Sequence, residues 1–315
     1  MKIGIPRAML YYEYGVLWKE FFNKLNIETL VSPESNKNIL KNGADISIDE
    51  NCLPCKLFFG HIKELLGKCD YIFVPRYEGF SKTNQVCFKF LAFYDLAVGI
   101  FKDVKFLTVN IGCCNEEKEF VKLGQSLGYE KRFAASAYEH AHNCYIENKK
   151  QKHNAFFENL YAAAPQADTK PKILIVGHNY LSYDSYLIKP VADFFKNGGS
   201  GGASGNNIEL LFACDYHYDV TDKYYENISK DLYWYFNKAL LSALVRAKSF
   251  IDGIIFISAF PCGPDALTNE LAMRKIKDIP KLNIILDELS SDAGLVTRLE
   301  CFTDIISKLQ ITNYK

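Results

Sequence analysis

Short apolar runs alternate along the chain with longer amphipathic stretches, and this alternation restricts the possible folds more than any other feature. Several runs are continuous stretches of Val, Ile, Leu and Phe, which is typical of parallel strands buried on both faces. The strand candidates are residues 2–6, 27–32, 71–76, 104–111, 172–178, 208–214, 253–260 and 283–289. The helix candidates include 11–25, 57–66, 87–101, 231–247 and 294–309. The pattern predicts an α/β fold with mainly parallel sheets.

The alternation is interrupted at residues 161–172, "YAAAPQADTKPK", which are rich in Ala, Pro and polar residues. Beyond this point "KILIVGHNYLSYDSY" repeats the order of strand, polar turn and aromatic helix with which the chain begins. A chain of 315 residues also suits two domains of common size. We therefore predict two doubly wound lobes, residues 1–166, ending in a helix across 131–160, and residues 167–315.

One segment has the composition of a flexible linker, "NGGSGGASGNN" at residues 197–207. Removal of residues 198–205 would leave "ADFFKNNNIELLF", which is typical of a helix, a turn and a strand. We interpret 198–205 as an engineered insertion or loop replacement, exposed to solvent and without a functional role.

Charge and hydropathy exclude several classes of function. The chain has 37 basic and 37 acidic side chains and no basic run, so we expect no nucleic-acid partner. No apolar run reaches the roughly 18 residues of a membrane span, and "MKIGIPRAML" lacks the features of a signal peptide. We expect a cytoplasmic protein without a membrane partner. The phosphate loop of a P-loop ATPase and a dinucleotide fingerprint after the first strand are also missing.

Ten cysteines are an unusual number for such a chain, and in a reducing compartment they indicate thiols or metal ligands rather than disulfides. Six of them follow predicted strands or precede predicted helices, at the edge where parallel α/β sheets bind ligands. These six are Cys52, Cys55, Cys87, Cys113, Cys114 and Cys262. A helix N-terminus favours the thiolate that ligates metal, so we expect lowered thiol pKa values there.

The other four cysteines carry weaker signals. Cys69 lies at the entrance of a strand, on the opposite edge, and Cys214 ends a strand and could face the functional edge. Cys144 and Cys301 lie inside helical patterns, where we predict core packing.

The spacing of the six cysteines favours one kind of cofactor without excluding others. A zinc site would favour two CxxC pairs, and only Cys52 and Cys55 form one. A redox dithiol would leave Cys87, Cys113 and Cys262 unexplained. A scattered set of thiolates suits an iron–sulfur cluster better, with zinc, a dithiol or simple packing as alternatives.

Several polar residues have ordinary structural interpretations. We expect His61 to be a helix histidine bonded to backbone, and we assign His140 and His142 to the surface because they lie on different faces of a helix. His178 could line a cleft or stabilise a turn, and Asp265 is a good residue for a helix start. No residue can be assigned a catalytic role.

Seven segments follow one another along the chain: "IGIPRAMLYYEYGVLWKEFF", "SNKNILKNG", "DENCLPCKLFFGHI", "DYIFVPR", "CFKF", "FPCGPD" and "DAGLVTRLE". Together they resemble the family of domains related to CoA-substrate-specific enzyme activases, which adjoins the 2-hydroxyacyl-CoA dehydratases and the double-cubane iron–sulfur proteins. The resemblance implies two Rossmann-like lobes with an iron–sulfur cluster between them, either [4Fe-4S] or a double-cubane [8Fe-9S] cluster.

The resemblance also implies a set of ligands. Cys52, Cys87 and Cys262 match cysteines of the family's motifs, whereas relatives are less uniform at Cys55. Cys113 and Cys114 would complete a larger cluster. The segment "DELSSDAGLVTRLE" departs from the common pattern, because Leu289 stands where relatives carry histidine.

From this resemblance we expect an oxygen-sensitive protein of an anaerobe that works with an ATP-hydrolysing activator. The activator would donate low-potential electrons to the cluster, which would reduce or activate a small substrate. The alternatives are a 2-hydroxyacyl-CoA dehydratase-like subunit, a non-catalytic iron–sulfur electron-transfer module and a structural zinc protein. A homodimer is expected by analogy alone.

Overall fold

The computed structural model describes residues 1–162, 170–197, 208–219, 221–288 and 292–313. They form two compact units. Unit 1 comprises Met1–Lys150 with Tyr233–Tyr235, and unit 2 comprises Gln151–Leu232 with Phe236–Lys315. The predicted boundary between residues 166 and 167, the predicted linker 198–205 and Leu289 all lie outside the described residues.

Unit 1 is built on a parallel four-stranded sheet. The strands of unit 1 are β1 (Lys2–Ile5), β2 (Glu28–Val31), β3 (Tyr71–Phe73), β4 (Arg76–Tyr77), β5 (Gly79–Ser81), β6 (Asn84–Gln85), β7 (Phe106–Leu107) and β8 (Asn110–Ile111). The sheet has the order β2-β1-β3-β7. The β4 and β8 strands form a parallel pair beyond β3 and β7, and β5 and β6 form an antiparallel hairpin.

Six helices accompany these strands in the described part of unit 1. They are α1 (Tyr11–Lys24), α2 (Lys37–Ala44), α3 (Leu53–Leu65), α4 (Lys89–Ile100), α5 (Glu116–Ser126) and α6 (Lys131–Tyr161), of which α6 continues into unit 2. The helix predicted across 131–160 is therefore present.

The core of unit 1 is aromatic and lies between α1 and the sheet. Phe21, Phe22 and Phe73 are fully or almost fully buried. Phe22 makes an edge contact with Phe73 at 5.2 Å between ring centroids, and Phe21 one with Phe120 at 5.0 Å. Each such ring removes about 150–250 Å² from water, so α1 is held mainly by this apolar burial.

Two glycines allow α2 and α3 to pack with their backbones in contact. A Cβ at Gly43 would lie 1.7 Å from the carbonyl oxygen of Lys56, and one at Gly60 would lie 2.0 Å from that of Ile39. Real side chains cannot occupy such positions without separating the helices. This contact fixes the position of α3, which begins directly after Cys52.

Unit 2 contains a second parallel sheet with the order β10-β9-β11-β12. Its strands are β9 (Lys172–Val176), β10 (Glu209–Phe212), β11 (Gly253–Ala259) and β12 (Lys281–Leu286). Its helices are α7 (Asn179–Ser182), α8 (Lys189–Asn197), α9 (Tyr235–Ala247), α10 (Gly263–Lys275) and α11 (Asp292–Asn313), with short 3₁₀ turns at Ala213–Asp215 and Tyr224–Asn227. All seven residues of β11 are buried, as the continuous apolar run predicts.

The α/β fold with mainly parallel sheets is confirmed, and each predicted strand region contains a strand. Two regions contain two short strands instead of one. The 71–76 region is split between β3 and β4 at Pro75, which has no N–H to donate. No helix in the described ranges is long and apolar enough to cross a membrane.

Candidate functional site

Both sheets have one place where the strand order reverses direction, and ligands of open α/β sheets bind there, beyond the carboxyl ends of the strands. In unit 1 this switch point lies between β1 and β3, and in unit 2 it lies between β9 and β11. A ligand of either sheet is therefore expected beside the chain segments that leave these strands.

The CxxC pair opens α3 in unit 1. Cys52 is the N-cap residue with extended backbone, and its carbonyl oxygen accepts a hydrogen bond from the N–H of Cys55 at 2.8 Å. Pro54 lies in the first turn, where a missing N–H costs nothing. The two sulfur atoms are 3.3 Å apart, longer than the about 2.05 Å of a disulfide. The pair therefore consists of two adjacent thiols, that of Cys55 fully buried.

The pKa of the Cys55 thiol is raised, not lowered. Its hydrogen bond with Cys52 and its burial raise the pKa most, and the nearby charges of Cys52 and Cys87 add to this effect. The ammonium group of Lys89 offsets part of the shift. The expected lowering is thus wrong for Cys55, because the hydrogen bond with Cys52 and burial both favour the neutral thiol.

Cys87 and Lys89 lie at the start of α4 and face the same pair. Cys87 is close enough to Cys55 to influence its pKa through charge, and its carbonyl oxygen accepts from the N–H of Phe90 at 3.0 Å. The Lys89 Nζ atom donates to Asn51 Oδ1 at 3.0 Å and lies 3.9 Å from Cys52 Sγ. Unit 1 therefore groups three of the six predicted ligands, with one cation beside them.

Cys113 and Cys114 form a separate exposed pair between β8 and α5. Their sulfur atoms are 3.4 Å apart, and Cys114 has a φ of 58°. The hydrogen bond between the two thiols raises the pKa of Cys113. The side chain of Asn115 accepts from the N–H of Gly112 and donates to the carbonyl of Asn110, which holds the turn. Among the five predicted ligands of unit 1, no three bring their sulfur atoms within 4.8 Å of one another in the described structure.

The sixth predicted ligand belongs to a polar network at the switch point of unit 2. Cys262 is the N-cap residue of α10 and hydrogen-bonds to the carboxylate of Asp265. The same carboxylate lies 2.8 Å from His178 Nε2, and His178 directly follows the β9 strand and Gly177. Asp265 and His178 are both buried. Sequence reasoning left His178 between a cleft and a turn role and favoured a helix-start role for Asp265, and it missed that the fold joins them.

Two further contacts complete this network. Asn237 on α9 donates through Nδ2 to Asp265 Oδ1 at 2.9 Å and to Thr268 Oγ1 at 3.0 Å. Burial alone would raise the pKa of the Asp265 carboxyl, but the charge and hydrogen bond of His178 outweigh it together with the bonds from Asn237 and Cys262. The pKa of Asp265 is therefore lowered, and the group is a buried carboxylate beside the thiol.

His61 is a structural residue, as predicted, although its partners are side chains and not backbone. Its Nδ1 atom lies 2.9 Å from Ser32 Oγ and its Nε2 atom 2.9 Å from Ser35 Oγ. Burial, assisted by the charge of Arg7, lowers the pKa of His61 to about 3. The neutral imidazole thus ties α3 to the segment that follows β2.

Two of the remaining cysteines, Cys144 and Cys301, were both predicted to pack in the core, and the structure places them differently. Cys301 is exposed on α11, so the prediction that it packs in the core is wrong. Cys144 is half-buried, and its sulfur contacts the exposed His140 one helical turn away. These two residues and Glu20 bring their ligand atoms together, which sequence reasoning did not anticipate. The four-residue spacing of His140 and Cys144, which places them on one face of a helix, was the sequence signal that could have indicated this pair.

Comparison with solved structures gives weak likenesses only. The SBP FpvC from Pseudomonas aeruginosa, in complex with Mn²⁺, has a TM-score of 0.28 and 10% identity, covering 99% of both chains. The C-terminal domain of glucosamine-fructose-6-phosphate aminotransferase from Francisella tularensis has a TM-score of 0.23 and 10% identity, covering 97% of this chain and 84% of that one. No curated protein sequence matches.

A family model matches residues 2–202 and confirms the resemblance found in the motifs. This range contains the CxxC pair, Cys87, Cys113 and Cys114, whereas Cys262 lies beyond it. The chain belongs to the family described as the CoA enzyme activase uncharacterised domain (DUF2229).

Proposed function

We propose that this protein binds an iron–sulfur cluster and accepts low-potential electrons from an ATP-hydrolysing activator protein. The cluster would reduce or activate a small substrate. The observation that carries this proposal is the grouping of Cys52, Cys55 and Cys87 at the starts of α3 and α4. Membership of the family described as the CoA enzyme activase uncharacterised domain supports an interacting partner.

The donor set fits cluster chemistry better than a mononuclear metal. One ion would need its ligand atoms close together, and in the described structure the three sulfur atoms do not all lie within 4.8 Å of one another. Each cysteine of an iron–sulfur cluster can bind a different iron, so its sulfur atoms need not converge on one point. The cluster would supply electron transfer, and an iron without a protein ligand would supply a binding position for substrate.

The chain's own groups would hold and tune such a cofactor. Cys55 must lose its proton to bind iron, and the positive charge of Lys89 opposes the rise in its pKa. Cys262 remains a predicted ligand, and its thiol, which hydrogen-bonds to the Asp265 carboxylate, would release its proton to solvent on ligation.

Iron and acid-labile sulfide analysis after anaerobic purification tests the proposal. We expect a coloured protein that contains iron and sulfide, and a lower content of both in Cys52→Ser, Cys55→Ser and Cys87→Ser variants. Cys301→Ser is the matched control, because Cys301 is exposed on a helix of unit 2. The same analysis of Cys113→Ser, Cys114→Ser and Cys262→Ser decides whether a larger cluster forms.

The outcomes separate the candidate functions. A colourless protein without iron would refute the proposal, and stoichiometric zinc in its place would favour a structural zinc site. In the iron-loaded protein reduced with dithionite, a change in the electron paramagnetic resonance spectrum on addition of cyanide indicates an open iron and supports substrate chemistry. An unchanged spectrum contradicts that step and favours an electron-transfer module.

A further inference from the structure

Two helices of unit 1 bring together three metal-ligating side chains that do not belong to the predicted cluster ligands. Glu20 lies on α1, and His140 and Cys144 lie on α6. One ligand atom of each residue lies within 4.8 Å of the other two, and no other described group of histidine, cysteine and acidic residues does so. The His140 Nε2 atom is 3.7 Å from Glu20 Oε2 and 3.8 Å from Cys144 Sγ.

Helix geometry and packing fix this arrangement. His140 and Cys144 are four residues apart, which places them one turn apart on the same face of α6. Two turns before Glu20, the carboxylate of Glu13 accepts from the hydroxyl of Tyr145 at 3.0 Å and pairs with Lys149. The two helices therefore run antiparallel in a fixed register, and Glu20 is held opposite the His–Cys pair.

We propose that Glu20, His140 and Cys144 bind a zinc ion. Imidazole nitrogen, thiolate sulfur and carboxylate oxygen are the three ligand types that zinc accepts, whereas magnesium and calcium prefer oxygen alone. Bonds of about 2.0–2.3 Å in a tetrahedron place ligand atoms roughly 3.4–3.6 Å apart. The observed separations of 3.7 and 3.8 Å are close to this spacing, so side-chain rotation is sufficient to complete the site.

The proposed site has an open position and a simple proton balance. Three protein ligands leave the fourth position of the ion to water. The side chains of His140 and Glu20 are 45% and 33% exposed, so the ion can enter from solvent. Binding forms a zinc–sulfur bond and transfers the thiol proton of Cys144 to the buffer, without oxidation or reduction. The bound ion joins α1 to α6 and stabilises unit 1.

Zinc-dependent protection of Cys144 from alkylation tests this proposal at the level of the single residue. The full chain, freed of metal with a chelator, is treated with iodoacetamide at increasing zinc chloride concentrations and digested with trypsin. Residues 133–149 then form one peptide in which Cys144 is the sole cysteine. At ten times the dissociation constant, alkylation should fall about tenfold, because about one site in eleven remains unoccupied.

Matched variants decide whether the protection comes from the proposed ligands. His140→Ala and Glu20→Gln should lose the protection, whereas His142→Ala, two residues away on the same helix, should retain it. The peptide that contains exposed Cys301 is the internal reference for changes in reagent. The more conservative variant His140→Asn serves as a second test of this ligand, and circular dichroism of each variant controls for loss of folding.

Two results would overturn the zinc site. Zinc that leaves the alkylation of Cys144 unchanged shows that the three side chains do not hold the ion. Equal protection in His140→Ala and His142→Ala shows that zinc acts elsewhere in the protein. Neither result bears on the iron–sulfur proposal, because Cys144 is not one of its ligands.

Discussion

Acid should loosen α3 through His61, whose neutral imidazole is buried between two serine hydroxyls. The ring is fully buried, and its pKa is lowered to about 3. In the unfolded chain the ordinary pKa of histidine is about 6.5. Between these values the unfolded chain binds a proton that the folded chain does not, so the free energy of unfolding decreases as the pH falls.

The structure gives an approximate magnitude for this effect. The full contribution is present above the unfolded pKa, and each pH unit below it removes about 1.4 kcal/mol until the folded pKa is reached. At pH 4.5 the loss is therefore about 3 kcal/mol, or about a hundredfold in the equilibrium for local opening. No reduction for solvent screening is needed, because the side chain of His61 has no exposed surface.

Hydrogen exchange of α3 measures this opening without requiring the whole chain to unfold in one step. Exchange is followed by mass spectrometry for peptides covering Leu53–Leu65 at pH 7.5 and pH 4.5, each corrected for the intrinsic exchange rate. In wild type we expect a loss of protection about a hundredfold larger than in His61→Gln, which has no titrating ring. Acidic side chains affect both proteins alike and cancel in the comparison.

A second measurement examines the pKa itself. In protein with ¹³C-labelled histidine, the resonance that disappears in His61→Gln should not titrate between pH 8 and about pH 4. A midpoint near the ordinary value of histidine would refute the reasoning, as would equal pH dependence of exchange in the two proteins. Either result would mean that the ring reaches water in solution.

Two other substitutions test the packing of α3 and the network of unit 2. Gly43→Ala should destabilise unit 1 by about 1–3 kcal/mol, because its Cβ would meet the Lys56 carbonyl. Gly99→Ala, at an exposed helix position with nothing near its Cβ, should be neutral or stabilising by about 0.5 kcal/mol. If Gly43→Ala and Gly99→Ala changed the melting temperature by a similar amount, the backbone contact between α2 and α3 would be contradicted. Asp265→Asn should cost about 2 kcal/mol at neutral pH, because the buried carboxylate loses its charged hydrogen bonds. The pKa of Asp265 is lowered, so its contribution is present above the unfolded pKa and disappears as pH falls through the folded one. Thermal denaturation across pH 2.5–7 should show that the stability difference between Asp265→Asn and wild type becomes smaller in acid. A difference that stays constant with pH would contradict this assignment.

The central strands β9 and β11 were predictable because their burial on both faces leaves a local signature. The β11 strand is apolar at nearly every position, and the sequence needs no tertiary information to indicate it. The α2 helix is different, because it is only eight residues long and was not assigned from its periodicity. Its start did carry a signal, since Asn36 caps it by accepting from the N–H groups of Asn38 and Ile39.

The chemistry of the site was less predictable than the fold, since it depends on contacts between distant residues. Local sequence placed Cys55 at a helix start, but its raised pKa comes first from the hydrogen bond with Cys52, then from burial, with Cys87 adding to it. Asp265 meets His178 across 87 residues of chain. Glu20 meets His140 from 120 positions away in the chain, which no local pattern can reveal.

Three independent contacts hold α3 in place at separate points along its length. Gly43 and Gly60 allow its backbone to touch that of α2, His61 bonds to the segment after β2, and Lys89 on α4 approaches Cys52. A helix fixed at three points does not need a cofactor to define its position. Under the proposed function, the two thiols would therefore be in position before any metal binds, and ligation would have to reorient only side chains. For this reason the removal of a cysteine should change cofactor content while the fold of unit 1 is preserved, whereas the loss of the glycine contact should change both.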